Sequence, residues 1–179
     1  MRTLIGLVFF VAVVFAGLLA AGMIKNRLPW TEPPGAGKRL STYLNTHVAQ
    51  TVEGSSFPEL RPRHYEHVPP PRLLATVREM IGKLPNWRVI EQDAAHGSLH
   101  AVVTTPLWRF QDDVHIRVEP EPAGNGSVLL IRSESRLGKG DLGTNTRHVL
   151  DLYAQLDATL PPPPNAAYKT PPALTTPLF

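Results

Sequence analysis

Apolar residues fall along this chain in three rhythms, and each rhythm predicts a different element. Residues 3–24, TLIGLVFFVAVVFAGLLAAGMI, are apolar all round, 22 positions without one charge. A helix of that length rises roughly 33 Å, against a bilayer core of about 30 Å. The segment reads as a transmembrane helix, kept as an anchor rather than cleaved, because the apolar region of a signal peptide is usually about 7–15 residues. The second rhythm is helical. In PPRLLATVREMIGKL, residues 70–84, Leu73, Leu74, Val77, Ile81 and Leu84 share one face behind helix-starting prolines. In DLGTNTRHVLDLYAQLDATL, residues 141–160, the stripe is Val149, Leu152, Tyr153, Leu156 and Leu160. A shorter stretch, KRLSTYLNTHVAQT, puts Leu40, Tyr43, Leu44 and Val48 at helical spacing and predicts a short helix packed on the domain.

The third rhythm is extended. NWRVIEQD, GSLHAVVTT, WRFQDDVHIRVEPE and GSVLLIRSESR are rich in β-branched and aromatic residues and are separated by turn-forming sequence, PAGNG between the last two. Helix, four strands, helix predicts an α+β domain, a four-stranded or five-stranded antiparallel sheet with two helices on one face. The boundaries follow: a transmembrane anchor over 1–24, a juxtamembrane linker and short helix over 25–54, the α+β domain over 55–160, and a tail over 161–179. That tail holds seven prolines, so it is expected to be disordered or polyproline-like rather than part of a core.

Composition narrows the chemistry. Lysine and arginine number 18 against 15 acids, a net charge of +3. That balance is too weak to argue for nucleic acid. Cysteine is absent, which excludes disulfides, thiolate catalysis and cysteine-held metals. GKGDLG at 138–143 lacks the frame of a phosphate loop, and Ser133 and Ser135 lack a nucleophile-elbow motif. His64 and His67, or His100 with Asp113 and His115, match no metal spacing, so neither cofactor nor metal is expected.

Two constellations remain. In the third strand Asp112 shares the register of Val114, Ile116 and Val118, with Phe110 on the same face. A carboxylate in a core register needs a partner. Pairing Val118 with Val128 sets Asp112 opposite Glu134, so Asp112, Asp113, Arg132 and Arg136 are expected to form one ion-pair network. An alternative, hydrolysis by Asp112, Asp113 and a histidine, would need paired carboxylates. The second constellation is the junction RSESRLGKGDLGTNTRH, residues 132–148. There Arg136, Lys139 and Arg147 ring the start of the last helix, where backbone amides favour anions, while Asp141 or Thr144 can cap it. The expected ligand is an anion: a lipid headgroup, phosphate or acidic protein partner.

These same residues resemble a known family. RFQDDVHIRV followed by IRSESRLGKGDLGTNTRHVLDLY is similar to the domain of unknown function 1499 (DUF1499) family. The pattern is matched at Arg109, Phe110, Asp112, Asp113 and Val114. It is matched again at Arg132, Ser133, Ser135, Arg136, Gly138, Asp141, Gly143 and Asn145, with Arg147 one place early. YLNTHVAQT and FPELRPRHY resemble a proteobacterial, membrane-anchored branch, so the likeness covers about residues 40–160. Where many members carry an Asn-Cys-Val-Ser-like segment, this chain has TVEGSSFPEL. The resemblance implies no activity. It implies export or tethering, hence a single-pass inner-membrane protein with a periplasmic domain, although Lys25, Arg27, Lys38 and Arg39 alone would hold that side in the cytoplasm. The expected function is non-catalytic binding or scaffolding, with recruitment as a structural subunit through the proline-rich tail as a further alternative.

Overall fold

A computed structural model describes residues 2–106, 109–122 and 124–161. The proline-rich tail beyond residue 161 lies outside the described residues, as does Trp108. Four helices and six strands appear in the order α1 (Arg2–Lys25), α2 (Ala36–Asn45), β1 (Val48–Gln50), β2 (Arg63–Glu66), α3 (Pro70–Lys83), β3 (Trp87–Asp93), β4 (Ser98–Thr104), β5 (Gln111–Pro120), β6 (Gly126–Ser135) and α4 (Thr144–Asp157).

The domain is α+β, with six antiparallel strands among the described residues rather than four or five. β3, β4, β5 and β6 form a meander. The far edge of β6 is shared end to end by β1, against residues 132–134, and β2, against residues 126–129. These two strands have three and four residues, too few to show an alternating period. Val48 therefore belongs to a strand, not to the preceding helix.

α3 and α4 both cover one face of the sheet. Leu73, Leu74, Val77 and Ile81 of α3 and Val149, Leu152, Tyr153 and Leu156 of α4 are buried against Leu99, Ala101, Val114, Ile116, Val118, Leu129 and Ile131. Phe110 precedes β5 and is half exposed, so the core register of this strand starts only at Asp112. The short helix turns a different side inward from the one its leucines predict. Arg39 and Tyr43 are buried, whereas Leu40 and Leu44 are exposed.

α1 is continuous from Arg2 to Lys25, and its described side chains run without a break only from Leu4 to Val14, all exposed. Among the described residues no helix is long and apolar enough to cross a membrane. The segment after α1 folds back onto the domain. Leu28, Tyr43 and Leu150 make a second small core, and Trp30 meets Tyr43 edge-on at 5.7 Å. Asn26 Nδ2 donates to the Leu142 carbonyl at 3.0 Å.

Candidate functional site

The β5–β6 register decides which predicted site residues meet. Val118 pairs with Leu129, one residue on from the expected partner, so Asp113 lies opposite Glu134 and Asp112 opposite Ser135. Neighbours on a strand point to opposite faces. Arg132, Glu134 and Arg136 therefore share the open face with Asp113, and Asp112 points alone into the helix-covered side. The expected four-residue network is three separate arrangements: Asp113 with Arg136, Arg132 with Glu134, and Asp112 facing His148. The adjacent carboxylates Asp112 and Asp113 do not converge, and each has its own histidine on its own side of the sheet.

On the helix side, Asp112 is 1 % exposed, and its Oδ2 has no hydrogen-bond partner, lying 3.7 Å from His148 Nε2. His148 Nδ1 is 3.1 Å from the hydroxyl of buried Ser133, and Trp87 closes over the imidazole edge-on at 5.6 Å. The protons can be assigned from the partners. Asn145 Nδ2 faces the His47 carbonyl, Ser135 Oγ and Asp141 Oδ2, so its other atom is the oxygen, and Ser133 donates to it at 2.6 Å. Ser133 then has only a lone pair for His148, so Nδ1 carries a hydrogen and donates. Burial lowers the His148 pKa and favours the neutral ring. The sequence Ser–His–Asp resembles a nucleophile relay in its atoms alone. The hydroxyl proton is directed away from the imidazole, and Ser133 is fully buried.

Asp141 completes this network. Its Oδ1 accepts from the Gly143 amide at 2.8 Å and its Oδ2 from the Asn145 amide at 2.9 Å, so an internal carboxylate occupies the start of α4. The three cations of the expected anion site are not brought together there. Arg136 turns to the open face, where Nε and Nη2 donate to Asp113 at 2.7 and 2.8 Å. Arg147 is buried and runs along α4 to Asp151, with Nε donating at 2.8 Å. Lys139 is exposed in the loop. The glycines serve close approach. A Cβ at Gly140 would overlap the Leu44 carbonyl, and Gly143, at φ 82°, leaves room for Leu28.

The open face carries the accessible chemistry. One lateral row crosses five strands: Gln50 beside Arg132, Arg132 beside His115, His115 beside His100, and His100 beside Glu91. The two imidazoles stack with centroids 4.3 Å apart and planes 19° from parallel. His100 Nε2 lies 2.8 Å from Asp113 Oδ1. Hydrogen bonding from Arg136, more than from His100, holds the Asp113 carboxyl down at about 2. Burial and the neighbouring His100 lower the His115 pKa. A groove of about 460 Å³ runs over this row and the next, where Arg117 and Ser98 sit beside Asp93. Arg132 is paired with Glu134, and both side chains keep about a third of their surface exposed. Among the described residues no group of three or more His, Asp or Glu could hold a metal ion.

Sequence reasoning missed His148 and Asn145 as partners of Ser133, because the link joins positions 12 and 15 residues apart through a loop. The signal was the spacing of Ser133, Ser135, Asp141 and Asn145, each of which proves to be a member of one hydrogen-bond network. A family model described as "Protein of unknown function (DUF1499)" matches residues 38–156. No curated protein and no solved structure matches the chain.

Proposed function

The chain belongs to the DUF1499 family, and we propose that it is a membrane-tethered, non-catalytic binding module whose ligand lies on the open face of the sheet. The groove over Gln50, Arg132, His115 and His100 carries this reading. It is of small-molecule size, with Arg117 and His115 entering from β5, the partly buried Arg132 from β6 and His100 from β4; each arginine has a glutamate on its own strand, Glu119 for Arg117 and Glu134 for Arg132. Glu91 and Asp93 stand on the β3 side. That asymmetry suits a polar ligand with an anionic group held by Arg117 and Arg132. The anion expected at the 132–148 junction is thus reassigned to a surface that solutes can reach.

The tether is the uncharged 22-residue segment 3–24, which sits on the single helix Arg2–Lys25. The periplasmic side is our reading of the family resemblance. A non-catalytic role accords with the sealed Ser133–His148–Asp112 array and with the divergence of Asp112 and Asp113. Native mass spectrometry of the intact chain released from membranes tests the site. A small adduct should be present on the wild type and lost from Arg117→Ala/Arg132→Ala, with the melting temperature unchanged. An adduct that survives both substitutions places the ligand elsewhere. Alkaline phosphatase fused after residue 160 should be active in cells, and an inactive fusion rejects the periplasmic side.

A further inference from the structure

Outside α1, six large apolar side chains are exposed among the described residues: Leu40, Leu44, Val52, Ile90, Phe110 and Leu137. Four of the six lie at one end of the sheet. Gly140 packs on the Leu44 carbonyl, which sets the loop after β6 against the end of α2. The Arg136 amide bonds the Gln111 carbonyl at 3.1 Å, which sets Phe110 beside Leu137. Leu40 and Leu44 are one turn apart on the same side of α2. Val52 and Ile90 belong to the middle of the sheet and have no such company.

The segment following α1 docks at that same end. Asn26 holds the Leu142 carbonyl and Thr144, and Leu28 packs on Gly143. An apolar helix therefore leaves the domain through the end that carries the four exposed apolar side chains. Exposed cations accompany them: Arg27 beside Asn26, Arg109 beside Phe110 and Lys139 beside Gly140. On the acidic side, Glu32 is exposed, and the Asp141 carboxylate is taken up by the α4 cap. α2 itself contains no acid.

We infer that this end of the domain rests on the bilayer that holds α1, with Phe110, Leu137, Leu40 and Leu44 entering the headgroup–acyl boundary and Arg109 and Lys139 on anionic headgroups. Apolar tips flanked by arginine and lysine are what interfacial binding requires. Continuity with α1 names the occupant, and it commits the groove of the open face to a position beside the membrane rather than against it. This inference rests on the anchor reading given above.

The chain lacks cysteine, so single spin labels can be placed in the full-length protein without background. Leu44→Cys, Leu137→Cys and, at the opposite end of the sheet, Ala94→Cys would be labelled and reconstituted in nanodiscs, either neutral or containing anionic phosphatidylglycerol. Labels at 44 and 137 should be relaxed by lipid-soluble oxygen in preference to a water-soluble nickel chelate, and the label at 94 the reverse. Adding Arg109→Glu and Lys139→Glu to the labelled Leu137→Cys chain should lower the inserted fraction by roughly tenfold on anionic nanodiscs and little on neutral ones. Labels at 44 and 137 as water-accessible as that at 94, in a chain retained by the nanodisc, overturn the inference and leave the anchor standing. Mutual broadening of the labels without oxygen access overturns it in favour of contact between two copies. A chain that does not enter nanodiscs at all rejects the anchor and this inference together.

Discussion

Asp112 and Asp113 are neighbours in sequence with the same side chain, and their surroundings separate them completely. Asp113 is held ionised by Arg136. Its folded pKa lies below the ordinary aspartate value of about 4, so its contribution to stability is fully present above that value and is lost as pH falls through about 2. The stability difference between wild type and Asp113→Asn, measured by urea unfolding, should therefore shrink as pH falls from about 4 towards about 2. The buried network predicts a different response. Ser133→Ala leaves His148 Nδ1 and Asn145 Oδ1 without partners in the core, a cost of about 1–3 kcal/mol. Asp112→Asn should cost less than Ser133→Ala, because an amide can donate to the His148 Nε2 lone pair that the unpaired Asp112 oxygen now faces. Denaturant midpoints of the two variants check the order. Equal losses would mean that His148 carries its hydrogen on the other nitrogen. None of this was legible from residue types. A core-register aspartate called for a partner, and arginine was the nearest candidate in sequence, but parity along β6 turns every one of those arginines outward.

The elements divide by how sharply their pattern singles out one face. α3 has a narrow apolar stripe and buries it as the sequence reading expects, whereas α4 buries its expected stripe together with all the remaining residues from Asn145 to Tyr153, Leu150 among them. β6 has no such stripe. Val128, Leu129, Leu130 and Ile131 form an unbroken apolar run, so alternation could not say which parity faces the core, and the register slipped by one in the reading. α2 misled for another reason. Its buried positions are Arg39 and Tyr43, with Arg39 paired to buried Glu59 and bonded to the carbonyls of Glu32 and Pro33, whereas a hydrophobic stripe would have chosen its leucines. Removing one partner of such a pair, as in Glu59→Gln, is expected to cost about 3–5 kcal/mol. The glycines around α2 make the packing testable in both directions. Gly140→Ala collides with backbone at Leu44 and should destabilise by about 1–3 kcal/mol. Gly37→Ala, within α2 and in open space, should stabilise by about 0.5–1 kcal/mol. Thermal melts of the two variants moving in the same direction would contradict the placement of α2 on the junction.

At the scale of the whole molecule, the domain begins earlier than its family match. Residue 38 opens that match, yet Leu28 fills a core with Tyr43 and Leu150, and Arg39 takes two carbonyls from residues 32 and 33. A chain starting at residue 38 should therefore melt lower than one starting at 26, by at least the loss of one buried leucine, about 1.5–3 kcal/mol. Identical melts would show that the segment before residue 38 is not part of the fold.

The two short strands on β6 have a further consequence, for colloidal behaviour. A sheet polymerises where it offers a long, regular edge to another copy. Here one edge is broken into pieces of three and four residues, and the other, β3, has its register interrupted between Val89 and Glu91. Neither edge is a good template, so the meander can sit uncovered on one side without recruiting copies of itself. Deleting Ile90 would straighten β3 into a continuous border. Light scattering of that variant should then rise with concentration while the parent chain stays flat.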